Sequence, residues 1–129
     1  AHNIPYAAQA SVGYWNDFIT KVQKALATDG PSFINVLSPC RLGWGFPPEK
    51  TMEIAREAVS CRIWPLYEIV NGEWRITMKP KTFTSPIDWM KKQSRFRHLF
   101  QPGNEWMLTA IEEHVEKEWQ AILKQAGEA

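Results

Sequence analysis

Pro31-Ser32-Phe33-Ile34-Asn35-Val36-Leu37-Ser38-Pro39-Cys40 is the stretch on which the reading of this chain turns. An apolar run opens after Gly30-Pro31 and closes at Pro39, the pattern of a short buried strand. Cys40 follows where that strand has just ended, and the chain then turns through Gly43 and Gly45. In parallel α/β sheets, ligands and cofactors gather outside the carboxyl ends of the strands. A thiol at that place has a chemical use open to it. A lone cysteine is also, and more commonly, a small buried hydrophobe. Position and chemistry leave both readings of Cys40 standing. Cys61 lies too far along the chain for a CxxC or zinc-type spacing. Two thiols cannot complete a tetrahedral metal site or a cluster by themselves. Any metal on Cys40 would take its other ligands from outside this chain.

Upstream of this run, Ile4 to Ala10 reads as a first strand, ending at Ser11 and Gly13. Asn16 is placed to cap a helix in which Phe18, Ile19, Val22, Ala25 and Leu26 recur at helical spacing. Thr28-Asp29-Gly30-Pro31 closes that helix with a turn. Strand, helix and strand in this order predict one right-handed βαβ crossover.

Downstream, Pro47-Pro48 opens a second helix, with Met52, Ile54, Ala55, Ala58 and Val59 on its buried face. Pro65 blocks its continuation. Trp64–Val70 and Glu73–Lys79 then flank Asn71-Gly72, a hairpin signal that favours a type I′ turn. In that register Ile69 faces Trp74, Tyr67 faces Ile76, and Glu68 faces Arg75 as an opposite-charge pair. Trp89, Gln93, Phe96 and Phe100 line one side of a further helix, with Lys91, Lys92 and Arg95 on the rest. Basic residues among aromatics are a feature of single-strand nucleic-acid binding. The solvated face of an amphipathic helix gives the same pattern, and we favour it. A last helix follows Pro102-Gly103-Asn104, striped by Leu108, Ile111, Val115, Trp119 and Ile122, with Glu113 and Lys117 at i, i+4. His114 and Glu118 share that spacing but have no third ligand in view, and His2 and His98 stand alone. There is no glycine-rich phosphate loop, no nucleophile elbow and no internal repeat.

Composition agrees with one modest domain or part of a larger one: 129 residues, 44% of them hydrophobic. A net charge of +1 argues against recruitment of nucleic acid or an anionic membrane. No apolar run approaches the length of a membrane span, and the N-terminal residues lack a signal-peptide layout. The missing initiator Met suits a chain that begins mid-protein. Two cysteines point to a reducing, cytoplasmic setting. Seven tryptophans are many for this length, and some are expected to face partner subunits.

The run GPSFINVLSPC at 30–40, then GW, PPEKTMEIAREAV and WPLYEI, resembles the β subunit of 2-oxoacid:ferredoxin oxidoreductases, the family of pyruvate synthase. The likeness extends upstream into IPYAAQAS and downstream into QSRFRHLF. It implies an α/β fold, with 1–62 as the C-terminal portion of a thiamine-diphosphate-binding domain and 63–129 as a β-hairpin and helical extension. It also implies a larger subunit that binds thiamine diphosphate and magnesium mostly through residues outside this chain. Cys40 corresponds to the family's fourth ligand to a 4Fe–4S cluster near the thiamine. The implied partners are the other subunits, ferredoxin, a 2-oxoacid such as pyruvate or oxalate, and coenzyme A in the pyruvate enzyme. Arg41-Leu42 stand where many relatives have Pro after that cysteine, and Cys61 stands where a small residue is more usual, so it reads as structural. The alternative is a stand-alone interaction or nucleic-acid-binding module that uses residues 89–100.

Overall fold

The computed structural model describes residues 4–128 and is mixed α/β. β1 (Tyr6–Ser11), α1 (Trp15–Ala27) and β2 (Ser32–Leu37) form the expected crossover, with β2 parallel to β1 and Ala8 opposite Ile34. The helix begins otherwise than its sequence suggests. Asn16 caps nothing; a 3-10 turn at Val12–Tyr14 leads into α1, and Ser11 Oγ caps that turn by accepting the Gly13 N–H at 3.2 Å. Gly13 is needed there because α3 (Thr51–Ser60) crosses closely. A Cβ at Gly13 would meet the Arg56 side chain and backbone N at 3.0 Å.

The hairpin β3 (Leu66–Val70) and β4 (Glu73–Met78) adds antiparallel to the other side of β1. The sheet order is β2-β1-β3-β4. Asn71 (φ 50°) and Gly72 (φ 86°) both take left-handed conformations, as a type I′ turn requires. The expected pairs Ile69–Trp74, Tyr67–Ile76 and Glu68–Arg75 are all in register, with the Tyr67 and Trp74 rings 4.8 Å apart.

Three sequence expectations change here. β2 is an edge strand rather than a buried one, and Phe33 stays 59% exposed. The apolar stripe of α1 is likewise partly uncovered, since Ile19 and Leu26 are exposed, as is Trp15 at the start of the helix. Lys21 turns to the sheet instead, 1% exposed, with its ammonium donating to Gln9 O, Asp17 Oδ2 and Thr77 Oγ1 at 2.6–2.8 Å. Three acceptors satisfy all three donors of that ammonium. Burial still lowers its pKa from the ordinary lysine value, against the pull of Asp17. Glu68 stands opposite Arg75, yet its buried carboxylate accepts from Tyr6 Oη and the Lys24 ammonium.

The core lies beside the sheet. Ile54 and Ala58 of α3 pack with Phe46, Cys61 and the Trp89 and Met90 side chains of α4 (Pro86–Lys91). The helix expected over 89–100 is broken. α4 stops at Lys91, Gln93 is extended, and a 3-10 segment spans Ser94–Phe100. Buried Gln93 stabilises the break by donating its side-chain amide to Trp89 O at 2.9 Å. The apolar side survives this, because Trp89 is buried and Phe96 and Phe100 pack against the core. α5 (Glu105–Gln125) buries Val115 and Trp119 as its stripe predicts. Glu113 and Lys117 form no ion pair; instead Glu116 of this helix pairs with Arg62, and Glu112 accepts from Ser85 Oγ at 3.2 Å. No described helix is long and apolar enough to cross a membrane.

Candidate functional site

The site is the turn that follows β2. Pro39 is buried and Cys40 exposed, so the chain emerges from the packed layer at the thiol. Cys40 (φ −89°, ψ 103°) precedes α2 (Arg41–Trp44), a single helical turn in which the Trp44 N–H donates to Cys40 O at 2.9 Å. The Cys40 side chain makes no capping bond, which leaves the sulfur free for other chemistry. Gly45, at φ 72°, ends the turn and donates to Arg41 O at 2.9 Å. This is the left-handed closure that glycine adopts without a Cβ penalty.

A backbone bond and the packing of Trp44 hold the turn to the rest of the molecule. The Ser94 N–H donates to Gly45 O at 3.0 Å. The Trp44 ring meets Trp89 edge-on at 6.0 Å and Phe46 at 6.3 Å. Gly43 leaves room beside the sulfur, since a Cβ there would lie 3.6 Å from Cys40 Sγ. Cys40 is therefore a free, exposed thiol on an anchored turn. Among the described residues no group of three or more His, Cys, Asp or Glu side chains is placed to hold a metal. As a donor set the turn fits one ligand of a cluster whose remaining thiolates come from elsewhere. It does not fit a metal site completed by the described residues.

Cys61 is a different kind of thiol. It is fully buried in the core, its Sγ–H donates to Ala58 O at 3.5 Å, and burial pushes its pKa up to about 11. In the unfolded chain, without that burial, the thiol ionises near 9.0. Between pH 9 and 11 the unfolded state releases a proton that the folded state keeps. The stabilising contribution is thus present below pH 9 and lost as pH rises through that window, up to about 2 kcal/mol. Urea unfolding at pH 8 and pH 10.5 should show a larger fall for the parent chain than for Cys61→Ala. Equal falls would remove the linkage. Iodoacetamide on metal-free folded protein should likewise modify Cys40 and spare Cys61.

The remaining sequence candidates do not gather into a site. Lys92 pairs with Glu53 and Glu57, and Lys91 pairs with Asp88 at 3.3 Å. With Trp89 buried as well, the basic-aromatic segment lacks the exposed rings that stack bases. His98, His114 and Glu118 are exposed and belong to no metal-binding group among the described residues, while His2 lies outside them. The buried Lys21–Asp17 pair went unnoticed in sequence; their i, i+4 spacing was its only signal.

No family model matches the chain. It is 52% identical over 113 residues to the pyruvate synthase subunit PorB of Methanocaldococcus jannaschii, covering 88% of this chain and 38% of that protein. It is 42% identical over 124 residues to PorB of Thermotoga maritima, covering 95% and 38%. The ketoisovalerate oxidoreductase subunit VorB of Pyrococcus horikoshii is 44% identical over 128 residues, 98% of this chain and 40% of that protein. The chain spans about two fifths of the length of the curated relatives it matches. The similarity runs through both flanks of the Cys40 turn.

Proposed function

We propose that this chain, a relative of the 2-oxoacid:ferredoxin oxidoreductase β subunits along about two fifths of their length, is the part of such a subunit that presents one cluster ligand. Residues 1–62 close the thiamine-diphosphate-binding domain, and 63–129 extend it by the hairpin and the C-terminal helices. The whole enzyme oxidatively decarboxylates a 2-oxoacid, in the pyruvate or branched-chain class that the relatives' names suggest, and passes electrons to ferredoxin. When bound, a 4Fe–4S cluster beside thiamine diphosphate supplies the path by which those electrons leave.

The observation that carries this reading is the free thiol of Cys40 on an anchored turn at the carboxyl end of β2. Cys40 supplies a thiolate, Gly43 keeps the space beside it open, and Gly45 with Trp44 holds its orientation. The uncovered edge of β2 and the exposed Trp15, Ile19 and Leu26 of α1 support a chain that works inside a larger body. Native mass spectrometry of the protein isolated without oxygen, with iron counted on the same sample, tests this. An iron-bearing assembly with other subunits is expected. A free 129-residue species without iron would overturn it.

A further inference from the structure

Arg95 packs directly on the Cys40 turn, over the ring of Trp44. Its guanidinium carbon sits 3.7 Å from the centre of the Trp44 ring, 4.4 Å from that of Phe96 and 5.8 Å from that of Trp89. Its Nε donates to the buried, neutral Gln93 Oε1 at 3.0 Å. Among the described residues no carboxylate forms an ion pair with it. Burial lowers its pKa, and a guanidinium nevertheless stays charged at neutral pH. Surface lysines of the same segment are neutralised by Asp88, Glu53 and Glu57; Arg95 is not.

That arrangement links charge to thiol through one residue. Trp44 carries the stacked guanidinium on its ring and bonds by its N–H to Cys40 O, one helical turn back. Stacking on aromatic faces is stronger when the cation is desolvated. A charge with no counterion in such a setting is also poorly screened by salt. We propose that Arg95 is a positioning residue for the Cys40 turn, and that its uncompensated charge makes an iron–sulfur cluster held through Cys40 easier to reduce. This rests on the reading of Cys40 as a ligand. Exposed Arg41 lies closer in sequence, but water and salt screen it.

The test uses the intact enzyme complex, isolated anaerobically, with substitutions in the full-length subunit. Iron is counted, and a redox titration is followed by electron paramagnetic resonance. Arg95→Gln should retain the iron and lower one cluster's affinity for an electron about tenfold, or about 59 mV for a one-electron couple. Arg95→Lys, which keeps the charge, should stay within about threefold of the parent. An unchanged Arg95→Gln potential, or equal displacement in the Gln and Lys variants, overturns the proposal. Should Arg95→Gln fail to assemble, Gln93→Glu sets a carboxylate against the same guanidinium. Its potential should fall too, and an unchanged value overturns the proposal. Cys40→Ser separates the two ideas. If it keeps full iron and an unchanged spectrum, the ligand reading has failed. If it disturbs them while Arg95→Gln changes nothing, the role of Arg95 alone has failed.

Discussion

Cys40→Ala enzyme, isolated without oxygen, is expected to lose iron from one cluster and to oxidise its 2-oxoacid about 100-fold more slowly or worse. A thiolate ligand is part of the cluster's inner coordination, and even outer-shell partners of metal ligands are worth roughly 10- to 100-fold. The folded chain should hardly notice the change. Cys40 is exposed and its side chain caps nothing, so unfolding free energy should move by less than about 0.5 kcal/mol. This contrast separates a ligand from a packing residue. A structural cysteine would show the reverse: stability lost and iron unchanged. Cys61→Ala provides that control, since its thiol fills the core and is expected to cost about 1–2 kcal/mol without touching the iron. Full iron and full turnover in Cys40→Ala would sink the assignment.

Gly45→Ala is expected to be the most damaging single change near the turn, at about 3 kcal/mol. Two independent penalties meet there. The φ of 72° is left-handed, which costs an L residue with a Cβ about 1 kcal/mol. The new Cβ would also overlap Ser94 Oγ and come within 2.9 Å of Ser94 Cβ, and overpacking of that kind costs about 1–3 kcal/mol. The second penalty belongs to Ser94 and should be separable. In a Gly45→Ala, Ser94→Gly double variant the overlap is gone and only the backbone strain at Gly45 remains, so the two changes should couple by about 1–2 kcal/mol. Denaturant unfolding of the four chains measures this. Strict additivity would mean that the turn relaxes away from Ser94 at little cost. In the intact enzyme the same Gly45→Ala change should loosen iron while leaving Cys40 in place, because the turn that aims the thiol would have moved.

Much of the local structure could be read from particular residues. The run Ser32–Leu37 is a strand, Asn71-Gly72 makes the type I′ turn, and Ile69 meets Trp74 as alternation predicts. Val115 and Trp119 are buried on the face that helical spacing assigns them. Each of these depends on neighbours a few residues away. Where the reading fails, either a distant element or an unforeseen side-chain bond decides the local structure. Asn16 looked like a cap because caps are local, but the close crossing of α3 at Gly13 set the helix entry earlier. A helix over 89–100 satisfied periodicity, yet the buried Gln93 amide favoured a break at no cost to the apolar side.

The candidate site divides along the same line. From sequence alone came the thiol, its place just past a strand end, and the glycines that turn the chain, because these are matters of residue type and order. Only the tertiary structure decided that β2 is an edge strand, that Lys21 is buried with its ammonium against the sheet, and that Arg95 lies on Trp44. A charged side chain looks solvated in any one-dimensional pattern. Whether it is depends on which distant rings and amides close around it, and that is settled by packing between segments whose separation along the chain carries no periodic signal.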